Sequence, residues 1–363
     1  MGGLRFSISS YQKARMDYGV SDRNVTKQAE YSARISGRLN EIVDPAINPI
    51  RMSKIRLDAY NGKWISTVGC PMDIEVSCDT TGSMGSEVDN EMKVLPDLYA
   101  EVSKMLPEYD PQLCIGIFGD CGDRFVMCRP QFEMEAPKIV NYLKEMAPQR
   151  GGCGNYGEDP QYAMFARAYL TDTYINRIGL KGYHFIVTDE PYHNSITEHQ
   201  IKRIFGDRIF ENELADMRGI PTVDKMVEEL KRKAHQFILV LRDTAYEGTV
   251  EIWRNLCGSN SVIVIDNTTQ LPKIISAIIG LTEGTLDISE LDHYLEGINY
   301  ETISQLCRID VGAQVELRNK LDNKVPKAGD IFLNKSDTWP TEYNGVTSVG
   351  EEEVAVDSEI DYV

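Results

Sequence analysis

Residues 73–85 read Asp73-Ile74-Glu75-Val76-Ser77-Cys78-Asp79-Thr80-Thr81-Gly82-Ser83-Met84-Gly85, and this stretch decides the fold. A strand at Asp73–Cys78 runs straight into a short loop, and a long helical stretch begins near Glu87 and continues to Met105. Gly82 and Gly85 allow the tight turn and positive φ that such a loop needs. Asp79 offers a carboxylate, and Thr81 and Ser83 offer hydroxyl oxygens two residues apart on the turning backbone. Ser86 and Glu87 suit the first turn of the following helix. Small hard cations take oxygen ligands, few of them charged, and keep some waters. The loop therefore supplies a ligand set for Mg²⁺, with Mn²⁺ or Ca²⁺ as alternatives.

Outward from this loop the same alternation repeats. Strands are expected at Gln112–Phe118, Arg124–Cys128, Gly182–Val187, Gln236–Leu241 and Ser261–Ile265. Helices are expected at about Glu135–Met146, Pro160–Tyr169, Ile196–Phe205 and Thr222–Ala234. Apolar strands separated by helices imply right-handed crossovers and a mostly parallel sheet covered on both faces. The expected fold class is α/β, a doubly wound sheet spanning 71–283, with sites at the carboxyl ends of its strands.

The flanks read differently. Residues 1–70 show no clean periodicity beyond a strand-like Leu4–Ile8 and a helix-like Thr26–Ile42, which is stopped by Asp44-Pro45-Ala46-Ile47-Asn48-Pro49. They carry eleven Lys/Arg against six Asp/Glu and are expected to form an extended basic arm. Residues 284–363 are expected to hold short helices at Ile288–Leu295 and Thr302–Cys307, then an acidic tail.

The net charge of −18 excludes nucleic acid and anionic membrane surfaces as expected partners. No apolar run is long enough for a membrane span. The eight cysteines form no CxxC pair, and Cys78, Cys114 and Cys257 lie in apolar runs that read as core. The spacing of Cys121, Cys128 and Cys153 fits no standard zinc site. With no signal-like N-terminus, a reducing, cytoplasmic setting is expected.

The Asp79-x-Thr81-Gly82-Ser83 loop between strand and helix resembles the von Willebrand factor A family, whose metal-ion-dependent adhesion site begins D-x-S/T-G-S. The resemblance covers roughly residues 71–283. It implies that Thr81 and Ser83 touch the cation, that Asp79 does so directly or through water, and that Asp189, in the strand-Thr-Asp ending Val187-Thr188-Asp189, faces them. Glu190 follows where the family often has glycine and is a candidate substitute ligand, the alternative being a carboxylate that only caps the next helix.

The family's second loop carries a threonine. This chain has Gly151-Gly152-Cys153-Gly154-Asn155-Tyr156-Gly157-Glu158-Asp159 instead, similar to bacterial and alpha-kinase-associated A domains. Asn155, Glu158 and Asp159 are the candidates for the missing ligand, and Glu158 and Asp159 equally suit a helix N-terminus. Asp120 and Asp123 belong at the rim or in a turn.

The resemblance implies a metal-dependent interaction module that takes an Asp or Glu from a partner protein, a second copy or a larger assembly. The alternative is a scaffold subunit, or a regulator of an ATPase complex, that uses its flanks and holds only a structural ion. Catalysis is not expected. No P-loop, H-E-x-x-H or G-x-S-x-G is present, His184 lies in an apolar strand, and His193 and His199 are not spaced as metal ligands usually are.

Overall fold

The computed structural model describes residues 8–17, 27–47, 49–53, 56–58, 63–65, 70–152, 154–320 and 333–334. Two N-terminal helices come first, α1 (Ile8–Asp17) and α2 (Lys27–Ser36). The central series follows as β1 (Cys70–Asp79), α3 (Glu87–Met105), β2 (Tyr109–Phe118), β3 (Met127–Cys128), α4 (Ala136–Glu145) and α5 (Pro160–Tyr169). It continues as β4 (Gly182–Thr188), α6 (Glu198–Phe205), α7 (Val223–Lys233), β5 (Ala234–Leu241), α8 (Thr249–Cys257), β6 (Val262–Ile265) and α9 (Leu271–Glu283). After a short helical turn at Leu291–Tyr294 come α10 (Tyr300–Leu306) and α11 (Ala313–Lys320).

The six strands form one sheet in the order β6-β5-β4-β1-β2-β3, parallel throughout except for β3, which runs antiparallel to β2. Helices pack on both faces, so the chain is a doubly wound α/β protein of Rossmann-like type. The order reverses at β1 and β4. From β1 the chain winds towards β2, and from β4 it winds the other way towards β5. A crevice must open between the carboxyl ends of these two neighbours, the place where such sheets bind ligands. Asp79 ends β1 and Asp189 follows β4.

Strand β1 is buried on both sides, yet only one side is apolar. Cys70, Met72, Ile74, Val76 and Cys78 join the core shared with α3 and α9, while Asp73, Glu75, Ser77 and Asp79 face the other way. The buried carboxylates are held by buried arginines. Arg129 makes a bidentate pair with Glu75 (2.7 Å for each bond), and Arg167 of α5 pairs with Asp73. His184 on β4 is the register neighbour of Glu75, and its Nδ1 lies 2.5 Å from Gln236 Oε1 of β5.

Burial pushes the His184 imidazole down to about 4, with Arg167 and Arg129 adding to the effect and Glu75 and Gln236 opposing it. The folded protein thus resists a proton that the unfolded chain accepts near 6.5. Stability from this group is complete above that pH, drains away as pH falls towards 4, and amounts to about 3 kcal/mol over the window. Urea unfolding of wild type and His184→Asn at pH 7 and pH 4.5 should show the variant losing less stability on acidification. Equal losses would mean that His184 does not titrate in this way.

The described N-terminal helices do not form the extended arm that the sequence of residues 1–70 suggests. Tyr11 and Ala14 of α1 and Ala33 of α2 are buried in the same core as α3 and α4, and Ala29 is buried beside them. The buried positions fall three and four residues apart, a stripe of one tyrosine and three alanines that gives little amphipathic signal in sequence. The helix expected over Thr26–Ile42 ends at Ser36, where Gly37 turns left-handed (φ 71°) and its N–H bonds Ala33 O at 2.8 Å. Residues 4–7 of the Leu4–Ile8 strand lie outside the described residues, and Ile8 opens α1.

The core also continues past Glu283. Leu291, Leu295, Ile303, Leu306 and Ile309 are buried in it. Helix α10 covers the edge strand β6. Gln305 Oε1 accepts from Val264 N (2.6 Å) and Thr302 Oγ1 donates to Val264 O (2.7 Å), satisfying backbone groups an open edge would leave bare. The acidic stretch 351–361 lies outside the described residues. Among the described residues no helix is long and apolar enough to cross a membrane.

Candidate metal centre

The crevice between β1 and β4 gathers the first-loop residues with Asp189. Asp79 Oδ1 accepts from Thr81 N (2.9 Å) and Thr81 Oγ1 (2.6 Å), and Asp79 Oδ2 accepts from Thr188 Oγ1 (2.9 Å). Thr81 Oγ1 stands 3.2 Å from Ser83 Oγ, which in turn donates to Asp189 Oδ1 at 3.0 Å. Asp79, Thr81, Ser83 and Asp189 thus form one continuous run of oxygen donors from the first loop to the third. Asp189 Oδ2 is buried and takes no hydrogen bond.

The second loop is stitched onto the first. Arg150 N bonds Thr80 O (2.8 Å), and Gly82 N bonds Gly151 O (2.5 Å). A Cβ at position 82 would stand 3.3 Å from that carbonyl oxygen and press on the second loop, while the left-handed turn of the first loop falls at Gly85 (φ 53°). Arg150 also ties the site to the N-terminal helices, its guanidinium reaching Glu30 of α2 (3.2 Å) and Asp89 of α3 (2.8 Å). The described loops leave a cleft of about 370 Å³, lined by Ser83, Asn155, Tyr156, Glu158, Glu190 and Tyr246 together with four glycines.

Buried carboxyl groups are concentrated at this cleft. Burial raises the Asp79 carboxyl to about 7, with the Asp189 charge adding to it, and burial raises Asp189 to about 6. Glu158 is pushed up to about 10 by burial and then by Asp79, Glu190 and Asp120, and its Oε2 is buried without a hydrogen-bond partner. Glu190 Oε2 is satisfied by Gly157 N at 2.9 Å. Buried carboxylates this close together call for a cation or for protons. The donors are all oxygen, and two buried carboxylate oxygens still lack partners. That set fits a hard divalent ion of the Mg²⁺ kind, held by Asp79, Thr81, Ser83 and Asp189, with Glu158 at hand from the second loop.

The other sequence candidates are divided between two places. Asn155 lines the cleft, but its Nδ2 bonds Asp120 Oδ2 (2.5 Å). Asp159 begins α5 without capping it, and its carboxylate turns instead to Cys121 N (2.5 Å), Gln161 and His193. Asp123 makes a turn by accepting from Asp120 N at 3.0 Å. Sequence reasoning passed over three residues. Thr188 braces Asp79. His193 meets Asp120 and Asp159. Glu91 of α3 is fully buried, with both oxygens unpartnered, and burial and then the nearby Asp79 charge push its carboxyl well above the usual carboxylate range. The threonine in the strand-Thr-Asp ending was a visible signal; the other two had none within their own segments.

No family model matches the chain, and no curated protein matches it. Two similar solved structures are proximal thread matrix protein 1 of the mussel byssus and the pilus adhesin SpaC of Lactobacillus rhamnosus GG. The first is 10% identical with a TM-score of 0.34, covering 58% of this chain and 48% of that one. The second is 12% identical with a TM-score of 0.38, covering 61% and 32%. This chain therefore spans about half of the first and about a third of the second. Likeness this low carries no functional argument.

Proposed function

We propose that the protein is a metal-ion-dependent interaction module of the von Willebrand factor A type. The proposed cation, Mg²⁺ or else Mn²⁺ or Ca²⁺, binds Asp79, Thr81, Ser83 and Asp189 and takes an Asp or Glu side chain from a partner protein into its open position. One observation carries the reading: the oxygen run from Asp79 to Asp189 spans the switch point of the sheet and opens on a cleft. An acidic side chain that reaches the ion gains a direct ionic bond. One that falls short meets the Glu190 carboxylate without that bond and is repelled, so the cleft selects for reach as well as charge.

The second reading, a scaffold that threads a basic arm into neighbours, has less to support it. The described parts of residues 1–70 pack into this chain's own core. A pull-down with the full chain as bait, in Mg²⁺ and in EDTA, tests the module. Wild type should retain partners only in Mg²⁺, and Ser83→Ala should lose them in both conditions. Equal retention in EDTA would sink the cation bridge.

A further inference from the structure

Beside the first-loop site lies a second cluster of donors that differs from it in chemistry. Asp120 comes from the loop after β2, Asp159 from the residue before α5, and His193 from the loop after β4. One donor atom from each lies within 4.8 Å of the other two. His193 Nδ1 is 3.1 Å from Asp159 Oδ1 and 4.0 Å from Asp120 Oδ2. Ligands about 2.0–2.2 Å from a shared ion stand roughly 3–4 Å apart, so these separations suit a common metal. Both carboxylates are buried, at 4% exposure each, while the His193 side chain is 30% exposed and leaves a way in.

Two further observations favour a ligand. Asp159 occupies a helix N-cap position yet makes no cap hydrogen bond, so its orientation is set by the cluster and not by α5. Gln161, wholly buried, places its amide against Asp159 Oδ1 with the amide nitrogen, and its Oε1 has no partner. With the two carboxylates and the imidazole, this amide oxygen is a buried fourth donor atom on a side chain that already touches the cluster through its nitrogen.

We propose that Asp120, Asp159 and His193 form a second cation site for a transition metal such as Zn²⁺, Mn²⁺ or Co²⁺. The imidazole decides the class of ion. Mg²⁺ and Ca²⁺ prefer all-oxygen shells, whereas a nitrogen donor with two carboxylates suits the borderline first-row metals. The two sites share no ligand, and Asn155 stands between them, lining the cleft while donating to Asp120.

The test is a Co²⁺ titration of the chelator-stripped full chain in excess Mg²⁺, read by visible absorption. One Co²⁺ per chain should bind. Asp79→Asn should leave that binding intact, and His193→Gln and Asp159→Asn should each weaken it by more than about tenfold. Co²⁺ binding unchanged in both of these variants, abolished by Asp79→Asn, or absent from wild type would overturn the proposal. A spin-echo measurement on wild type loaded with Mn²⁺ in Mg²⁺ needs no variant. It should show coupling to one imidazole nitrogen, and its absence would overturn the site equally. Because the first-loop site contains no nitrogen donor, this signal is independent of whether that site binds Mg²⁺.

Discussion

Arg129→Met is expected to destabilise the protein by about 3–5 kcal/mol in urea unfolding, the largest effect of any single substitution considered. The loss is not the worth of the salt bridge. Arg129 and Glu75 are 1% and 0% exposed, and removing the guanidinium leaves Glu75 charged or protonated in a dry layer, with His184 at 3.9 Å and the more distant Arg167 charge in its place. The Thr171 hydroxyl, which accepts from Arg129 at 2.8 Å, also loses that donor. Burial alone would raise Glu75, but Arg129 overcomes it and holds the carboxyl below its ordinary value, so the pair is strongly coupled. Replacing both partners should therefore recover much of the loss. Glu75→Met with Arg129→Met is expected to be more stable than Arg129→Met alone by about 2 kcal/mol or more. If the two single losses simply add in the double variant, the residues are uncoupled and this account of the polar layer is wrong.

The same layer shows what the sequence could and could not disclose. The alternation of apolar strands and helices was readable, and so was the crevice chemistry of Asp79, Thr81 and Ser83, because those ligands lie within five residues of one another. Asp189 was readable because it ends a strand. The polar side of β1 was not, because Asp73 and Glu75 find their arginines on α5 and beyond β3, in segments far away along the chain. His193 was hidden for the same reason. Its spacing from His199 suggests no metal, yet its partners are Asp159, 34 residues earlier, and Asp120, earlier still. The helix at Lys27–Ser36 was readable within Thr26–Ile42, but the helix at Ile8–Asp17 and the burial of both were not, because their buried positions are alanines and one tyrosine, which give little hydrophobic contrast with their surroundings.

Asp79→Asn is expected to have opposite effects with and without divalent cation. In EDTA the wild-type protein holds Asp79 close enough to Asp189 for that charge to oppose ionisation of Asp79, and the Asp79 charge in turn opposes ionisation of Glu158 and Glu91. An asparagine keeps the oxygen that accepts from Thr81 and removes one of these charges, so the metal-free variant should be at least as stable as wild type. Adding Mg²⁺ should reverse the order. An ion bound only by the folded state stabilises it by about 2.7 kcal/mol when its concentration is a hundred times its dissociation constant, and the variant lacks the charge that makes the site tight. Thermal unfolding in EDTA and in millimolar Mg²⁺ would display the crossing directly. A wild type indifferent to Mg²⁺, Mn²⁺ and Ca²⁺ would remove the cation from the first loop. A variant that gained as much from Mg²⁺ as wild type would place the ion somewhere other than against Asp79. A less stable variant in EDTA would mean that the Asp79 carboxylate is held by its three hydrogen bonds more strongly than it is opposed by its neighbours.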